Sequence, residues 1–344
     1  MKIIGCDLHT RYQQVAMLDQ ETGELVERRL EHESGEARDF YAALEGKVRV
    51  GIEATGHTRW FERMLGEMGH ELWMGDAAQI RASMVRKQKT DARDAAHLLD
   101  LLESGRFPRL WRPTLEERDL RQLVWHRQKL VWMRNAVGNQ LHALAMGEGV
   151  CRKKKLWTKK GRIELEGLKL DPWASRRRQE LLRLLDQLDA SRKEFDQAVS
   201  EQAEQNPSAV LLMTHPGVGP VTSLAFVLTL GPVQRFERSK QVVSYLGLNP
   251  REHSSGGKQR LGAISKQGNP MMRSLLVEAG HTAARLDTEL RQDYQRLKQR
   301  RGSGVAKVAI ARKLAVRMYW MLRSPASYAQ LVRMQGSPWA TLVE

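Results

Sequence analysis

The chain has 344 residues and a formal net charge of +16 at pH 7, a length that supports two or three domains with a sizeable buried core. It contains no apolar run near the roughly 18 residues of a membrane helix. Its two cysteines exclude a disulfide framework and a cysteine-rich zinc site. The amino terminus lacks the pattern of a signal peptide. We therefore expect a soluble protein of a reducing compartment.

Charge is distributed unevenly along the chain. Residues 1–105 contain 14 Lys and Arg and 19 Asp and Glu, a local net charge of −5. Residues 106–344 contain 42 and 21, a local net charge of +21. Such a basic region is typical of proteins that bind nucleic acid. A membrane surface is the weaker alternative, because no segment combines a basic face with a clean apolar one.

The first hundred residues alternate between strand and helix patterns. Residues 2–7, 13–18 and 25–31 read as three strands, and Glu21-Thr22-Gly23 supplies the turn between the last two, which predicts an antiparallel meander. A helix, a strand, a helix, a strand and further helices follow at residues 36–44, 47–53, 58–68, 71–74 and from about residue 76. This order resembles the ribonuclease-H or RuvC-like fold.

Four acidic residues fall at the ends of these elements. Asp7 ends the first strand and Glu53 ends the fourth, whereas Asp91 and Asp94 lie one turn apart in a predicted helix that Thr90 caps. Clustered carboxylates repel unless hard cations such as Mg²⁺ or Mn²⁺ lie among them. Two plainer interpretations stay open: the pair could compensate the helix dipole, and Glu53 could cap the next helix.

A long helical pattern extends over residues 115–144, after a proline-containing connector. Trp125 and Trp132 lie seven residues apart on one face of this helix. Tryptophan at heptad spacing usually packs in a core. We therefore predict that both indoles are buried and do not serve as platforms for nucleic-acid bases.

Residues 151–178 carry eleven Lys and Arg, interleaved with Trp157 and Trp173. This pattern indicates a segment that binds RNA or single-stranded nucleic acid and orders on contact, with a solvated charged face as the plainer alternative. The next helix has an apolar seam over residues 181–199 that could pair with the 115–144 helix or with another protomer. The candidate nucleic-acid-binding residues here are Arg152, Lys153, Lys154, Lys155, Arg176, Arg177 and Arg178.

The last region, from about residue 206, contains two glycine-rich sites. Pro216-Gly217-Val218-Gly219 resembles the turn of a helix-hairpin-helix, whose backbone amides grip a DNA phosphate. Residues 252–258 form a glycine-serine stretch that is equally typical of a flexible loop. Three nearby cations would suit a phosphate: Lys258, Arg260 and Lys266.

Seven short motifs, spread over essentially the whole chain, form a specific combination. They are Gly5-Cys6-Asp7, Gly51-Ile52-Glu53-Ala54-Thr55-Gly56, Lys89-Thr90-Asp91-Ala92-Arg93-Asp94-Ala95, Pro216-Gly217-Val218-Gly219, Gly247-Leu248-Asn249-Pro250, Ser255-Gly256 and Ile264-Ser265-Lys266-Gln267-Gly268. Together they resemble the DEDD-type transposases of the insertion-sequence family "one-ten", in its "eleven-eleven" branch. These are the bridge-RNA-guided recombinases.

The resemblance implies three domains: an α/β RuvC-like domain at residues 1–110, a helical coiled-coil region with the basic RNA-binding segment at 111–205, and a mostly α-helical transposase domain at 206–344. It implies a serine nucleophile at Ser255 rather than the adjacent Ser254. The residues that it implies for binding Mg²⁺ or Mn²⁺ are Asp7, Glu53, Asp91 and Asp94.

The implied reaction is serine attack on a DNA phosphodiester, which gives a 5′-phosphoserine, followed by strand exchange through a Holliday-junction-like intermediate. The implied partners are an element-encoded bridge RNA, donor and target DNA, and further copies of the chain, from a dimer to a synaptic tetramer. The implied location is the bacterial cytoplasm, at the nucleoid.

Two other functions fit parts of the pattern. A RuvC-like structure-specific endonuclease would cut DNA with metal-activated water and would leave Ser255 as an ordinary loop residue. A non-catalytic nucleic-acid-binding protein would have a degenerate fold, and the presence of all four acids argues against it. The roles of three histidines stay open at this point: His9, His57 and His97.

Overall fold

The structure, a computed structural model, describes residues 1–84, 90–151, 155–254 and 260–333. The chain divides into two compact units, Met1–Arg112 and Pro113–Glu344. The first unit mixes strands and helices, and the second is mostly helical. The coarse prediction of an α/β amino-terminal part followed by a helical remainder is therefore confirmed.

A five-stranded sheet forms the centre of the first unit, in the order β3-β2-β1-β4-β5. The first three strands form the predicted antiparallel meander, and β4 and β5 run parallel to β1. Because β1 and β4 are parallel neighbours, their carboxyl ends lie at the same edge of the sheet. The strands are β1 (Lys2–Leu8), β2 (Tyr12–Asp19), β3 (Leu25–Glu31), β4 (Val48–Glu53) and β5 (Glu71–Gly75).

Helices cover both faces of this sheet. Alternation along β1 sends Ile4 toward a core with Tyr41 and Phe61 of the first two helices, and sends Ile3 toward Leu99 of the fourth. The helices described in this unit are α1 (Glu36–Ala42), α2 (Arg59–Glu67), α3 (Ala77–Ser83) and α4 (Asp91–Glu103).

Helix α4 packs directly on β1 because residue 5 is glycine. A β-carbon at Gly5 would lie 2.2 Å from the carbonyl oxygen of Ala95 and 2.4 Å from the amide nitrogen of Leu99. Thr90 precedes the helix, and its side chain accepts a hydrogen bond from the Arg93 amide, so the predicted N-cap is confirmed. This close approach holds the first turn of α4 against the sheet.

We expect the substitution Gly5→Ala to lower the free energy of unfolding by about 3 kcal/mol, because the added methyl group meets main-chain atoms that cannot rotate away. Urea denaturation would measure this loss. Gly66→Ala is the matched control, since a β-carbon there meets nothing within 4 Å in α2, and we expect it to raise stability by up to about 1 kcal/mol. Equal stability of Gly5→Ala and the unmodified protein would contradict this packing.

The second unit contains long helices and one short hairpin within the part of the chain that the structure describes. Its long helices include two that were predicted, at Leu115 and around Leu181. Its elements are α5 (Leu115–Gly147), α6 (Lys159–Glu166), α7 (Pro172–Gln205), α8 (Pro207–Met213), α9 (Pro220–Leu230), α10 (Ser239–Tyr245), β6 (Pro250–Glu252), β7 (Leu261–Ile264), α11 (Pro270–Leu286), α12 (Thr288–Arg323) and α13 (Tyr328–Arg333).

Helices α5 and α7 pair with each other along their length. Arg127 contacts Asp196 at 2.6 Å and Arg134 contacts Asp189 at 2.6 Å, so residue numbers rise on one helix as they fall on the other. The pair is therefore antiparallel. The leucine-rich seam of α7 packs against α5 in one apolar cluster, which also includes Leu165 of α6. Of the two partners left open for this seam, the structure shows the one within the same chain.

One local prediction for this unit is wrong. Trp125 and Trp132 are 41% and 45% exposed, because α5 turns its other side toward α7 and toward the apolar cluster that contains Val124. In the basic segment, residues 159–166 form α6 and residues 176–178 lie within α7, and its ordering on contact with nucleic acid stays a prediction. Residues 152–154 lie outside the described residues.

The turn between α8 and α9 contains a buried histidine whose protonation opposes folding. His215 is 1% exposed, its ring lies tilted against that of Tyr328 with the centroids 4.3 Å apart, and burial lowers its pKa to about 4. An unfolded chain takes up this proton near pH 6.5, so stability is present above that pH and is lost as the pH falls toward 4.

From pH 6.5 to 4 we expect His215 to remove about 3 kcal/mol of stability. Urea midpoints measured across this range should fall less steeply for His215→Phe than for the unmodified protein. Parallel pH profiles of the two proteins would contradict the expectation.

Candidate functional site

The four predicted carboxylates converge at one edge of the sheet. Asp7 lies one residue before the end of β1, and Glu53 ends the parallel neighbour β4. Asp91 and Asp94 occupy the first turn of α4. Asp7, Glu53 and Asp94 line one small cleft, and a carboxylate oxygen of Asp91 lies within 4.8 Å of one of Asp7.

Asp7 lies close to Asp91 and also lines the cleft with Glu53 and Asp94. The negative charge of its side chain is unfavourable in this position. Burial raises the pKa of its carboxyl, the neighbouring His9 lowers it, and the negative charges of Asp94 and Asp91 raise it again. The net direction is upward. A divalent cation among these side chains would remove the repulsion, and carboxylate oxygens are preferred ligands of Mg²⁺ and Mn²⁺. The donor set therefore fits a divalent metal.

Two aromatic residues at the β1–β2 turn complete the surroundings of Asp91. The Tyr12 hydroxyl donates a hydrogen bond of 2.9 Å to Asp91 Oδ2, which raises the pKa of Tyr12. His9 Nε2 lies 3.1 Å from Asp7 Oδ2 and 3.5 Å from Asp91 Oδ2. The rings of His9 and Tyr12 stack with their centroids 4.6 Å apart.

Sequence reasoning missed Tyr12 and left His9 open. His9 follows Asp7 by two residues, and residues two apart in an extended chain share a face of the sheet, so the alternation itself could have indicated His9. Tyr12 is brought to Asp91 by strand pairing and helix packing, because the two are 79 positions apart in the chain.

His97 lines the same cleft as three of the carboxylates. Its Nε2 lies 2.9 Å from Ser83 Oγ, and the Ser83 hydroxyl donates its one proton to the Ile80 carbonyl oxygen at 2.7 Å. Nε2 of His97 is therefore the donor in the contact with Ser83. This hydrogen bond holds the ring between α3 and α4. His57 is exposed.

Two of the quoted motifs interlock beneath the glycine-serine loop. A β-carbon at Gly247 would lie 1.8 Å from the Gln267 carbonyl oxygen, and one at Gly268 would lie 2.2 Å from the Tyr245 carbonyl oxygen. Both glycines have positive φ angles, which other residues rarely adopt. Ser265 Oγ also donates to Asn249 Oδ1 at 2.7 Å. These contacts fix the base of the β6–β7 hairpin.

Ser254, one of the two candidate serines, follows β6 in this hairpin. Ser254 Oγ donates to Glu252 Oε1 at 2.6 Å and accepts from the Arg260 amide at 3.1 Å, so its hydroxyl closes the neck of the loop. Arg260 is exposed. Ser255 and Lys258 lie outside the described residues. Lys266, at the base, is exposed and has a φ of 58°, a left-handed conformation that is uncommon for a residue with a side chain.

Arg178 has a structural position that corrects its predicted contact with nucleic acid. It is 8% exposed, and its guanidinium donates to the carbonyl oxygens of Leu165 and Leu168 and to Ser175 Oγ. These bonds tie α6 to α7 and use the donors that a phosphate would need. Four other basic candidates of that segment lie outside the described part of the chain: Arg152, Lys153, Lys154 and the side chain of Lys155.

The start of α7 presents a groove with both aromatic and cationic side chains. Trp173 is 82% exposed, and it lines this groove together with Arg176, Arg177 and Arg183. Arg177 donates to Gln140 of α5 at 3.0 Å, and Arg183 pairs with Glu180 at 2.5 Å. An exposed indole beside guanidinium groups is typical of surfaces that stack bases and contact phosphates.

The glycine turn at residues 216–219 does join two helices, α8 and α9. Gly217 has a φ of 89°, and a β-carbon there would lie 2.5 Å from the amide nitrogen of Ala283 in α11. The turn therefore packs against a neighbouring helix within the unit. Its predicted contact with a DNA phosphate stays a prediction.

Comparison with known protein families matches both units of the chain. Residues 4–147 match the family profile of the IS110-type DEDD transposases, and residues 209–295 match the profile described as the transposase IS116/IS110/IS902 family. The acids at the ends of β1 and β4 and on α4 all lie within the first match. The chain belongs to the IS110/IS116 family of DEDD transposases. It is therefore an enzyme that cleaves and rejoins DNA.

Two relatives that are described as transposases match over most of their length, and a third protein matches over a short stretch. The transposase is 28% identical over 335 residues to a "Probable family 20 transposase" of Pseudomonas aeruginosa, which covers 93% of this chain and 96% of that one. It is 27% identical over 340 residues to the "Transposase for insertion sequence element IS1111A" of Coxiella burnetii, covering 95% and 91%. An 81-residue stretch is 35% identical to the "Pilin gene-inverting protein" of Moraxella bovis, covering 23% and 25%.

These matches bear on the predictions made from sequence. The resemblance to DEDD-type transposases is confirmed, and this family suggests a divalent metal, for which the acidic cluster offers ligand atoms. The endonuclease alternative is not favoured. Within the described ranges, no helix of the transposase is long and apolar enough to cross a bilayer.

Proposed function

We propose that this transposase is an RNA-guided serine recombinase that moves its own insertion sequence. The observation that carries the proposal is the convergence of Asp7, Glu53, Asp91 and Asp94 at one sheet edge in a DEDD transposase. The strand order β3-β2-β1-β4-β5, with acids at the ends of β1 and β4, supports a RuvC-like fold for residues 1–110.

The four carboxylates would hold Mg²⁺. When bound, the metal supplies the positive charge that neutralises a DNA phosphate. The chain contributes rigidity: Tyr12 orients Asp91 through its hydrogen bond, and the contact of α4 with Gly5 holds Asp91 and Asp94 against the sheet. The oxygen ligands are therefore placed before DNA arrives, which lowers the cost of assembling the site.

The nucleophile is the hydroxyl of Ser255, an assignment that rests on the family resemblance. Its Oγ attacks phosphorus, an Oγ–P bond forms, and the bond from phosphorus to the 3′ oxygen breaks. The serine proton leaves to solvent, and the 3′ oxygen takes up a proton to become a free hydroxyl. A 3′-hydroxyl of the other DNA then attacks the phosphoserine: its oxygen bonds to phosphorus and loses its proton to solvent, the Oγ–P bond breaks, and Oγ takes up a proton. Phosphodiester energy is conserved throughout, so ATP is not required.

Charge and exposure support the partners of this reaction. The positive charge of residues 106–344 and the Trp173 groove suit an element-encoded bridge RNA together with donor and target DNA. Base pairing of the RNA would select the target, while the protein holds backbone and shape. In a synaptic tetramer the acidic site of one protomer would face Ser255 of another. We assign RNA binding to residues 111–205 and the serine chemistry to residues 206–344.

Trapping of a covalent intermediate tests the proposal. The purified transposase, with RNA that co-purifies from cells carrying the intact element, is incubated with labelled DNA that contains the element junction and then denatured in detergent. We expect a detergent-resistant protein–DNA adduct with the DNA joined through its 5′ phosphate. Cut DNA without any adduct would instead indicate hydrolysis by an endonuclease and would overturn the proposal.

Sequencing of the co-purified RNA tests the guide. We expect one discrete species that maps to the non-coding part of the element, enriched over cells in which that part is deleted. A mixture of ribosomal and transfer RNA fragments alone would contradict RNA guidance and would leave the serine chemistry standing.

Trp173→Ala should weaken binding of single-stranded RNA about tenfold, since base stacking on an aromatic ring contributes about 1–3 kcal/mol. Filter binding or fluorescence anisotropy would measure the loss. Leu184→Ala is the matched control, because Leu184 is another exposed apolar residue of α7 that does not line the groove. We expect no change for this control, and equal losses in both variants would indicate a general defect of the helix pair.

A further inference from the structure

His9 lies where the two carboxylates of Asp7 and Asp91 approach each other. Its Nε2 is 3.1 Å from Asp7 Oδ2 and 3.5 Å from Asp91 Oδ2, and all three potential ligand atoms lie within 4.8 Å of one another. Adjacent ligands of an octahedral cation with bonds of roughly 2.1 Å are about 3.0 Å apart. The two distances from His9 Nε2 are therefore already close to the spacing of neighbouring ligands on one ion, and the Asp7 and Asp91 oxygens lie within 4.8 Å of each other.

The surroundings hold this arrangement in place. The His9 ring stacks on Tyr12, the Tyr12 hydroxyl donates to the same Asp91 oxygen, and Arg29 lies 3.8 Å above the Tyr12 ring. Hydrogen bonds and packing of this kind orient ligands in known metal sites. Asp7 also lines a cleft with the carboxylates of Glu53 and Asp94, and neither His9 nor Asp91 lines that cleft.

We infer that His9 is a nitrogen ligand of a divalent cation that Asp7 and Asp91 also bind. The inference rests on the proposed metal-dependent function and adds a ligand that the four-carboxylate set does not contain. An imidazole nitrogen with carboxylate oxygens binds Mn²⁺ better than Mg²⁺, which prefers oxygen alone. The position of Asp7 between His9 and the Glu53–Asp94 cleft then allows a mixed nitrogen–oxygen site on one side and an all-oxygen site on the other.

Pulsed electron paramagnetic resonance on the Mn²⁺-loaded full-length protein tests this inference without reference to activity. Three-pulse electron spin echo envelope modulation detects nitrogen-14 that is bonded to Mn²⁺. We expect this modulation in the unmodified protein and its loss in His9→Gln, with Mn²⁺ affinity reduced about tenfold. Mg²⁺ affinity, measured by competition, should change much less.

His97→Gln is the matched control, because His97 is the other imidazole at the carboxylates and should leave the modulation in place. One outcome would overturn the role of His9 and leave the proposed metal site intact. In it, the unmodified protein binds Mn²⁺ without nitrogen modulation, and Asp7→Asn no longer binds the ion. Modulation that disappears in His97→Gln and persists in His9→Gln would also overturn this role. Failure of the free protein to bind Mn²⁺ would overturn the preformed site, whereas the adduct experiment decides the recombinase function separately.

Discussion

Asp7→Asn is expected to slow DNA cleavage by about a thousandfold and, in the same protein, to raise the melting temperature of the metal-free state. Loss of one carboxylate from the group removes several kcal/mol of charge stabilisation, which corresponds to a rate reduction of about a thousandfold. Asparagine has nearly the shape of aspartate, so the packing of β1 is kept. DNA cleavage and thermal unfolding, measured with and without Mg²⁺, would report the two effects.

The gain in stability follows from the direction of the pKa shift. The pKa of Asp7 is raised above 3.8, so the folded state binds this proton more tightly than the unfolded chain does. That contribution to stability exists below the unfolded pKa and is lost as the pH rises through the folded pKa. At neutral pH the ionised side chain therefore destabilises the metal-free protein. Asparagine removes this cost.

Asp100→Asn is the matched control, since Asp100 lies on the same helix as Asp94, is exposed and pairs with Arg106 at 3.5 Å. We expect this control to keep cleavage and to show no gain in stability. Mg²⁺ should stabilise the unmodified protein and the control, but not Asp7→Asn. Retention of cleavage by Asp7→Asn would remove the acidic cluster from the mechanism.

Ser255→Ala is expected to eliminate the covalent protein–DNA adduct, because it removes the oxygen that forms the bond to phosphorus. DNA binding should remain, as the hairpin base depends on Gly247, Gly268 and Asn249 instead. Adduct formation after denaturation and DNA affinity, measured side by side, separate chemistry from binding.

Ser254→Ala is the natural comparison. The Ser254 hydroxyl donates to Glu252 and accepts from the Arg260 amide, contacts that organise the loop. We expect this variant to form adduct more slowly but still detectably. Adduct in Ser255→Ala together with none in Ser254→Ala would transfer the nucleophile to Ser254, and adduct in both variants would contradict a serine nucleophile in this loop.

Much of the acidic site follows from local sequence patterns. Alternation of apolar residues places Asp7 and Glu53 at the ends of strands, and the capping preference of Thr90 places Asp91 and Asp94 in a first helical turn. These features depend on neighbours within a few positions in the chain. The strand and helix patterns of these segments were sufficient to predict the order of strands and helices in the first unit.

The side of each helix that meets a neighbour could be known only from the tertiary structure. Heptad spacing placed Trp125 and Trp132 on one face of α5. Both are exposed, because α7 and the apolar cluster that contains Val124 pack on the other faces of this helix. A charge run included Arg178, yet its position between α6 and α7 buried it.

The contact of Tyr12 with Asp91 shows the physical reason for this division. The two residues are 79 positions apart, and they meet because β1 pairs with β2 and because Gly5 lets α4 lie directly on the sheet. The spacing of apolar residues indicates whether a segment forms a helix or a strand, because it follows the repeat of the segment's own backbone. It does not encode which segment packs beside it. The sequence by itself therefore determined the elements and their acids, and the packing of α4 on β1 decided how those acids and their aromatic neighbours form a site.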